Sequence, residues 1–357
     1  MKLNDTQSYY LDFLRLISAQ FVVIGHGLVM FGIVPIGSHN YIQQTPVVIF
    51  FILSGFLIAY ALFNKEESYN FKVFFIERFS RIYSGLIPCL IFILLIDLLR
   101  IHVLHLEYPY ANYFDVKSFL ANLFMLENYP KTHFQAFGSG RPLWSLAIEW
   151  WMYMFFGMLY LSYYKNKISW KGACLLMFFA IVPFYNLYSS YSNSGKDSFT
   201  IIWFAGWIIA FFYSYLLKTE RISILASSIF LVLFLIAAIR RYSMVPYVYD
   251  TTFVLLVSFA FMFSLLFLSN YQINKPLLGS KKVIFCAGYS YTLYLIHYTI
   301  LDLISVLFKL GSIEMRWLVF IGAFLVSNLL SAFIAYHTEM KYKNLGRWIK
   351  RKLGVIA

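Results

Sequence analysis

The sequence predicts an all-α, polytopic membrane bundle of about ten transmembrane helices, with no separate soluble domain. Three observations predict it. Hydrophobic residues fill 61% of the 357 positions and charged residues only 13%, whereas a soluble domain sits nearer half apolar and a quarter charged. Mean hydropathy is accordingly high, at +0.70. The apolar residues gather into runs of roughly twenty, the length that crosses a bilayer as a helix. The formal charge of +13 sits largely between those runs. That pattern suits cationic loops that fix topology and meet anionic headgroups, not a nucleic-acid partner.

In chain order the candidate spans are 9–31, 44–63, 82–103, 144–164, 172–188, 199–217, 222–239, 252–269, 285–308 and 316–337. The run at 172–188 is the shortest of them. Residues 104–143 are mixed and aromatic, and DVKSFLANLFMLE at 115–127 has the periodicity of a short amphipathic helix. Neither a repeat nor a low-complexity tract is visible, so one domain is expected over 1–357. The first apolar run is long and lacks a small-residue cleavage site, so it is expected to stay as an anchor. Cys89, Cys174 and Cys286 lie in or beside apolar runs, without metal or redox spacing. They are expected to be small buried hydrophobes, and no metal site is expected.

Ten spans put both termini on one side. If that side is cytoplasmic, 19 of the 29 lysines and arginines are cytoplasmic, nine lie outside and Arg15 is intramembrane. The positive-inside rule therefore predicts a multi-pass protein of the inner (plasma) membrane with both termini in the cytoplasm. The C-terminal KYKNLGRWIKRK cluster points the same way.

The first span carries two residues that hydrocarbon disfavours, Arg15 and His26. Eleven positions on a helix make three turns plus roughly 20°, so the two share a face about 16 Å apart. Ser18, Ala19 and Val22 lie between them, and small residues there allow close approach by a helix or a slim ligand. Asp12, one turn from Arg15, is placed to pair with it. Two readings compete for each residue. Arg15 is either a snorkelling side chain tied to Asp12 and headgroups or part of a site. His26 is either an interhelical hydrogen-bonder or a general base on a hydroxyl, work that suits an imidazole at neutral pH.

Four more stretches carry chemistry. In VFFIERFSRIYSGLIP, Arg78 and Arg81 stand at i, i+3 at the mouth of the third span. They form either an anion clamp or an ordinary positive-inside anchor. In RPLWSLAIEWWMYMF, Ser145, Glu149 and Tyr153 fall on one helical face. Glu149 is expected to position an acceptor hydroxyl, to pair with His26, or to bridge to Arg141. Trp144, Trp150 and Trp151 read as an interfacial belt. FFILSGFLIAY holds Ser54 and Gly55, a small packing pair. GYSYTLYLIHYTI holds His297 in the ninth span.

Together these stretches resemble the acyltransferase 3 family of integral membrane proteins, which O-acylate bacterial surface carbohydrates. LDFLRLISAQFVVIGHG resembles the family's first-span motif of an arginine and a histidine with ten residues between them, with Arg15 and His26 in the matching places. FFILSGFLI, ERFSRIYSGLIP (Arg78, Arg81 and Pro88), LWSLAIEWWMY (Trp144, Ser145 and Glu149) and SYTLYLIH (ending at His297) resemble further motifs in order. HTEMKYKNLG resembles the closing Glu-x-Pro stretch through Glu339, but Lys341 stands where proline is usual.

The resemblance implies a stand-alone transferase that takes an acyl group, usually acetyl, from cytoplasmic acyl-CoA as co-substrate, with no bound cofactor. It implies an essential His26 and an acyl-CoA-binding role for Arg78 and Arg81. In the expected mechanism His26 deprotonates a sugar hydroxyl while Arg15 polarises the thioester carbonyl or steadies the donor arm, supported by Asp12 and His297. Glu149, Trp144, Ser145 and Tyr153 then meet the acceptor, a surface or lipid-linked glycan. Lipids are the other expected partners, and a homo-oligomer is compatible with the sequence. A transporter or flippase is the rival reading, since buried Arg, His and Glu also suit a proton-coupled carrier.

Overall fold

The computed structural model describes residues 3–36, 41–65, 69–127, 129–163, 169–193, 196–219, 223–270, 280–308 and 311–355. Of the cations that set the predicted sidedness, Lys2, Lys165, Lys167, Arg221, Lys275 and Lys309 lie outside these residues, as does the Lys218 side chain.

The described residues are mainly helical. In order come α1 (Asp5–Met30), α2 (Tyr41–Phe63), α3 (Phe71–Leu98), α4 (Val116–Leu123), α5 (Leu143–Tyr163), α6 (Trp170–Ser192), α7 (Phe199–Thr219), α8 (Ile224–Met244), α9 (Thr251–Ser269), α10 (Ser280–Gly288), α11 (Ser290–Leu307), α12 (Ile313–His337) and α13 (Tyr342–Lys352). Among the described residues nine helices are long and apolar enough to cross a membrane. Helix α5, the predicted fourth span, is long enough at 21 residues, but its tryptophans, tyrosines and Glu149 dilute its apolar character.

Helix starts follow polar caps more closely than they follow apolar runs. Asn4, Asn70, Asp115, Ser169, Ser223, Asp250 and Ser312 each accept a backbone N–H three residues ahead. Such caps satisfy donors that a helix start leaves orphaned. Asn70 therefore starts α3 eleven residues before the predicted span. The arginines Arg78 and Arg81 lie two to three turns inside that helix, not at its tip.

Side-chain ties sort the helix ends. The Asn4 amide donates to the Leu268 carbonyl (3.2 Å), and Lys350 and Lys65 both meet the Glu77 carboxylate, at 2.7 and 3.5 Å. The starts of α1 and α3, the ends of α2 and α9, and α13 thus share one end, here termed the base. Segment 104–143 covers the other end, the crown. Asp97, near the end of α3, fastens it by accepting from Tyr108 Oη (2.8 Å) and the Ser139 N–H (2.9 Å).

Three expectations need correction. Arg100, one of the nine cations assigned to the outer side, lies in a π-helical turn (Leu99–Val103); it is buried and paired with Asp302 at 2.5 Å. Only Cys89 is fully buried, while Cys174 is exposed on α6, a peripheral helix. Trp150 and Trp151 are core residues: Trp150 packs on Phe75 and Tyr83 of α3, and the Met125 carbonyl of the crown segment accepts from Trp151 Nε1 (2.7 Å).

At the centre, α2 packs on α7 through reciprocal glycines. A Cβ on Gly55 would strike the Trp203 carbonyl, and one on Gly206 would strike the Ile52 carbonyl. The two backbones therefore approach closely where small residues permit it.

Candidate functional site

A cavity of about 800 Å³ opens among α1, α2, α3, α5, α10, α11 and residues 340–343. It gathers Asp12, Arg15, Arg78, Arg81, Ser145, Glu149 and Tyr153, as well as Ser54, Tyr291, Tyr294 and Lys343. Seven of the ten residues singled out in the sequence thus share one chamber. The other three, His26, His297 and Trp144, are not in its lining.

The cations approach the chamber from its base side, and two of them are already engaged. Arg15 pairs with Asp12 at 3.1 Å, the i, i+3 pairing foreseen. Arg81 lies 3.2 Å from Glu339, an ionic contact outside hydrogen-bond alignment, and 4.9 Å above the Tyr342 ring. Arg78 and Lys343 have no carboxylate partner among the described residues. The Nε atoms of Arg15 and Arg78 are buried without an acceptor among those residues, so both forks keep unused donors in a dry setting. The clamp expected of Arg78 and Arg81 is therefore asymmetric, with one fork free and one held.

Glu339 does more than close the chain. It is fully buried, and its Oε2 accepts from the Thr292 N–H (3.1 Å) and hydroxyl (2.8 Å). Thr292 is the third residue of α11, so the carboxylate caps that helix from a distance, at the positive end of its dipole. This explains why the predicted span 285–308 is broken at Tyr289 into α10 and α11. The sequence signal was faint: a Gly288-Tyr289-Ser290 break and one acid 47 positions downstream of Thr292.

The opposite wall carries a directed hydrogen-bond chain. Trp203 Nε1 only donates, and its acceptor is Ser54 Oγ (3.0 Å). Ser54 Oγ in turn lies 2.8 Å from Tyr153 Oη, and Tyr153 donates to Glu149. With Glu149 as a carboxylate, every proton in the chain is placed: Trp203 to Ser54, Ser54 to Tyr153, Tyr153 to Glu149. Glu149 therefore pairs with neither His26 nor Arg141. It faces the chamber of the arginines, while Arg141 lies over the Tyr113 ring at 5.8 Å. Trp144 stacks edge-on against Phe199 (5.0 Å). Ser54, read as a packing residue, is the relay of this chain.

His26 lies beyond the crown-side end of the chamber. That end is formed by Phe50 and Tyr294, T-shaped at 5.7 Å, with Tyr294 Oη 2.7 Å from Ser145 Oγ. Behind them come His297, 6.1 Å from the Tyr294 ring, and His26, 5.3 Å from His297. Tyr298 meets His26 edge-on at 5.3 Å and hydrogen-bonds to Tyr110 of the crown. The small face between Arg15 and His26 is not a crevice. Ser18, Ala19 and Val22 are buried, with Ala19 in an apolar cluster that includes Tyr289, Leu293 and Ala323. The chamber follows α2, α3 and α5 instead.

No curated protein and no solved structure matches this chain. The family model for acyltransferase 3, described as an acyltransferase domain, matches residues 8–336. That stretch runs from the first turn of α1 to the last turn of α12 and takes in all the chamber residues named above except those at 340–343. The match and the helical bundle agree: the chain belongs to the acyltransferase 3 family and is a membrane acyltransferase.

Proposed function

We propose that the chain moves an acetyl group from acetyl-CoA, entering at a cytoplasmic base, to a hydroxyl of a surface or lipid-linked carbohydrate reached from the crown. The observation that carries this reading is the chamber itself. Arg15, Arg78, Arg81 and Lys343 converge on a cavity that leads toward His26. The phosphates of CoA suit the guanidinium forks. The narrow pantetheine arm suits the polar wall of Ser145, Tyr153 and Glu149, which meets the donor in this reading. The acceptor falls instead to the crown, where Tyr110, Tyr113 and Arg141 are candidates.

His26 acts as general base. It takes the proton of the sugar hydroxyl as that oxygen attacks the thioester carbonyl. The carbon–sulfur bond then breaks, and the proton passes to the departing thiolate. The products are the acetyl ester and free CoA thiol. Donor and acceptor approach His26 from opposite ends, and the thioester passes the Phe50–Tyr294 pair.

The test is release of free thiol by the purified, full-length protein given acetyl-CoA and a glycan acceptor. His26→Ala should cut turnover by about 10²–10⁴-fold while the protein still accumulates in the membrane. Normal acylation by that variant sinks the role of His26. Movement of a saccharide without thiol release favours a carrier instead.

A further inference from the structure

We propose that His297 is a positioning residue: its Nε2 accepts a hydrogen bond from His26 and thereby fixes which ring nitrogen of His26 faces the reacting hydroxyl. The inference rests on the reading of His26 as the base.

The tautomer of His297 follows from its surroundings. Its Nδ1 lies 2.8 Å from the Tyr294 carbonyl oxygen and 3.1 Å from that of Leu293. Carbonyl oxygens only accept, so Nδ1 carries the proton and Nε2 keeps its lone pair. The two carbonyls belong to α11 itself. Nε2 therefore lies on the ring edge turned away from that helix. His297 is fully buried, and Nε2 has no partner among the described residues. A buried acceptor is rarely left unmatched in a native protein.

The neighbouring hydroxyls have partners other than His297. The Tyr294 hydroxyl is engaged with Ser145 (2.7 Å), and that of Tyr298 with Tyr110. Ser139 Oγ donates to Thr299 Oγ1 (2.9 Å). The remaining neighbour is the His26 ring, tilted by 38° with its centroid 5.3 Å away. An in-line N–H···N bond between two imidazoles sets their centroids about 5 Å apart, given an N···N length of about 3 Å. The spacing is thus already right, and only rotation of the His26 ring is needed. Catalytic hydrogen bonds of this kind often align only when substrate is bound.

The backbone of His26 is held for this purpose. Gly25 abuts Gln43 of α2, and Gly27 abuts the Phe320 ring of α12, so the histidine backbone is fixed between two packed positions. No carboxylate pairs with His26 among the described residues; the nearby Asp302 is bound to Arg100 (2.5 Å). The third group that orients a catalytic base is here a neutral imidazole. With one nitrogen donating to His297, the other nitrogen of His26 is bare and available to the hydroxyl.

The experiment has two arms on the full-length protein in nanodiscs. The first is ¹⁵N NMR of histidine-labelled wild type and His297→Gln, which assigns the His297 ring. A proton on Nδ1 with a bare Nε2 is expected, and a proton on Nε2 overturns the proposal. The second is turnover with acetyl-CoA. His297→Gln places an amide oxygen where Nε2 was and should stay within a few-fold of wild type. His297→Leu should lose about 10²-fold in kcat with KM for the donor unchanged. Equal loss in both variants, with wild-type melting temperatures, overturns the proposal, and so does full activity in the leucine variant. An active His26→Ala would sink the underlying reading instead, and the ring assignment is measured independently of it.

Discussion

Arg78 and Arg81 are one turn apart and chemically identical, yet the structure gives them different partners. Arg78 keeps a free fork toward the chamber, its guanidinium 5.9 Å over the Phe74 ring. Arg81 is tied to Glu339, a fully buried carboxylate. Removing Arg78 should therefore act on the donor alone: Arg78→Ala should raise KM for acyl-CoA about 10-fold, the effect of deleting one charge-assisted hydrogen bond, with no change in melting temperature. Arg81→Ala also strands the Glu339 charge. Leaving one half of a buried pair costs about 3 kcal/mol, less here because Arg81 is 29% exposed, so this variant should melt earlier as well as bind more weakly. Donor titrations and thermal unfolding on the two single variants check the contrast; identical behaviour would mean that the arginines act as one anchor. The spacing of the two arginines was legible in the sequence. Their inequality was not, because it depends on an acid far down the chain that only the fold brings to Arg81. The Arg15–Asp12 pair was legible for the opposite reason: its partners are three residues apart on one helix.

Helices were legible wherever a run of about twenty apolar residues could be counted, and their ends were not, because ends are set by single polar atoms. Helix α4 shows this well. The amphipathic pattern runs on to residue 127, but the helix stops at Leu123. Met125 turns left-handed (φ 58°), and the N–H groups of Met125 and Leu126 bond back to the Asn122 (3.2 Å) and Ala121 (2.7 Å) carbonyls. This is a Schellman closure, usually signalled by glycine, made here without one. The turn delivers Glu127 into the packed crown, where it is buried with Oε2 unpartnered among the described residues. Burial pushes its carboxyl well above the usual carboxylate range. The sign follows from proton counting: between the unfolded and folded pKa values, the folded state holds a proton that the unfolded chain has released. Stability from this group is thus fully present below the unfolded value and is lost as pH rises through the folded one. Melting curves from about pH 4, near the ordinary glutamate value, up to pH 8 should show wild type losing stability with rising pH. Glu127→Gln should flatten that loss and melt higher at pH 8. A glutamine variant with the wild-type slope would mean that Glu127 ionises freely in the folded protein.

At the scale of the whole molecule, burial is graded from the centre outward. The most apolar stretch of α2 is 61% buried, that of α8 only 11%, so α2 is the axis on which the chamber is built and α8 faces the surroundings. The chamber is reached past the base, where α13 carries Lys343, Arg347, Lys350, Arg351 and Lys352. The crown carries the aromatic segment whose Tyr110 reaches Tyr298, a ring neighbour of His26. In the proposed function donor and acceptor enter from these two ends, and the positive-inside rule then puts the cationic base on the cytoplasmic side, where acyl-CoA is made. The long apolar helices were legible, since each is a local count of residues, although ten runs were expected and nine helices among the described residues are long and apolar enough to cross a membrane. The chamber was not, since it follows α2, α3 and α5 and not the small face of α1 that the sequence displays. The sidedness can be measured directly. Lys352 at the base and Lys117 on α4 at the crown are both exposed and far from the chamber. In a background with Cys174→Ser and Cys286→Ser, a Lys117→Cys protein should react with a membrane-impermeant maleimide in intact cells, whereas Lys352→Cys should react only after the membrane is opened. The reverse pattern would put the arginine chamber on the side without acyl-CoA. The donor would then have to reach His26 from the crown, and Arg78 and Arg81 would lose their role as its phosphate site.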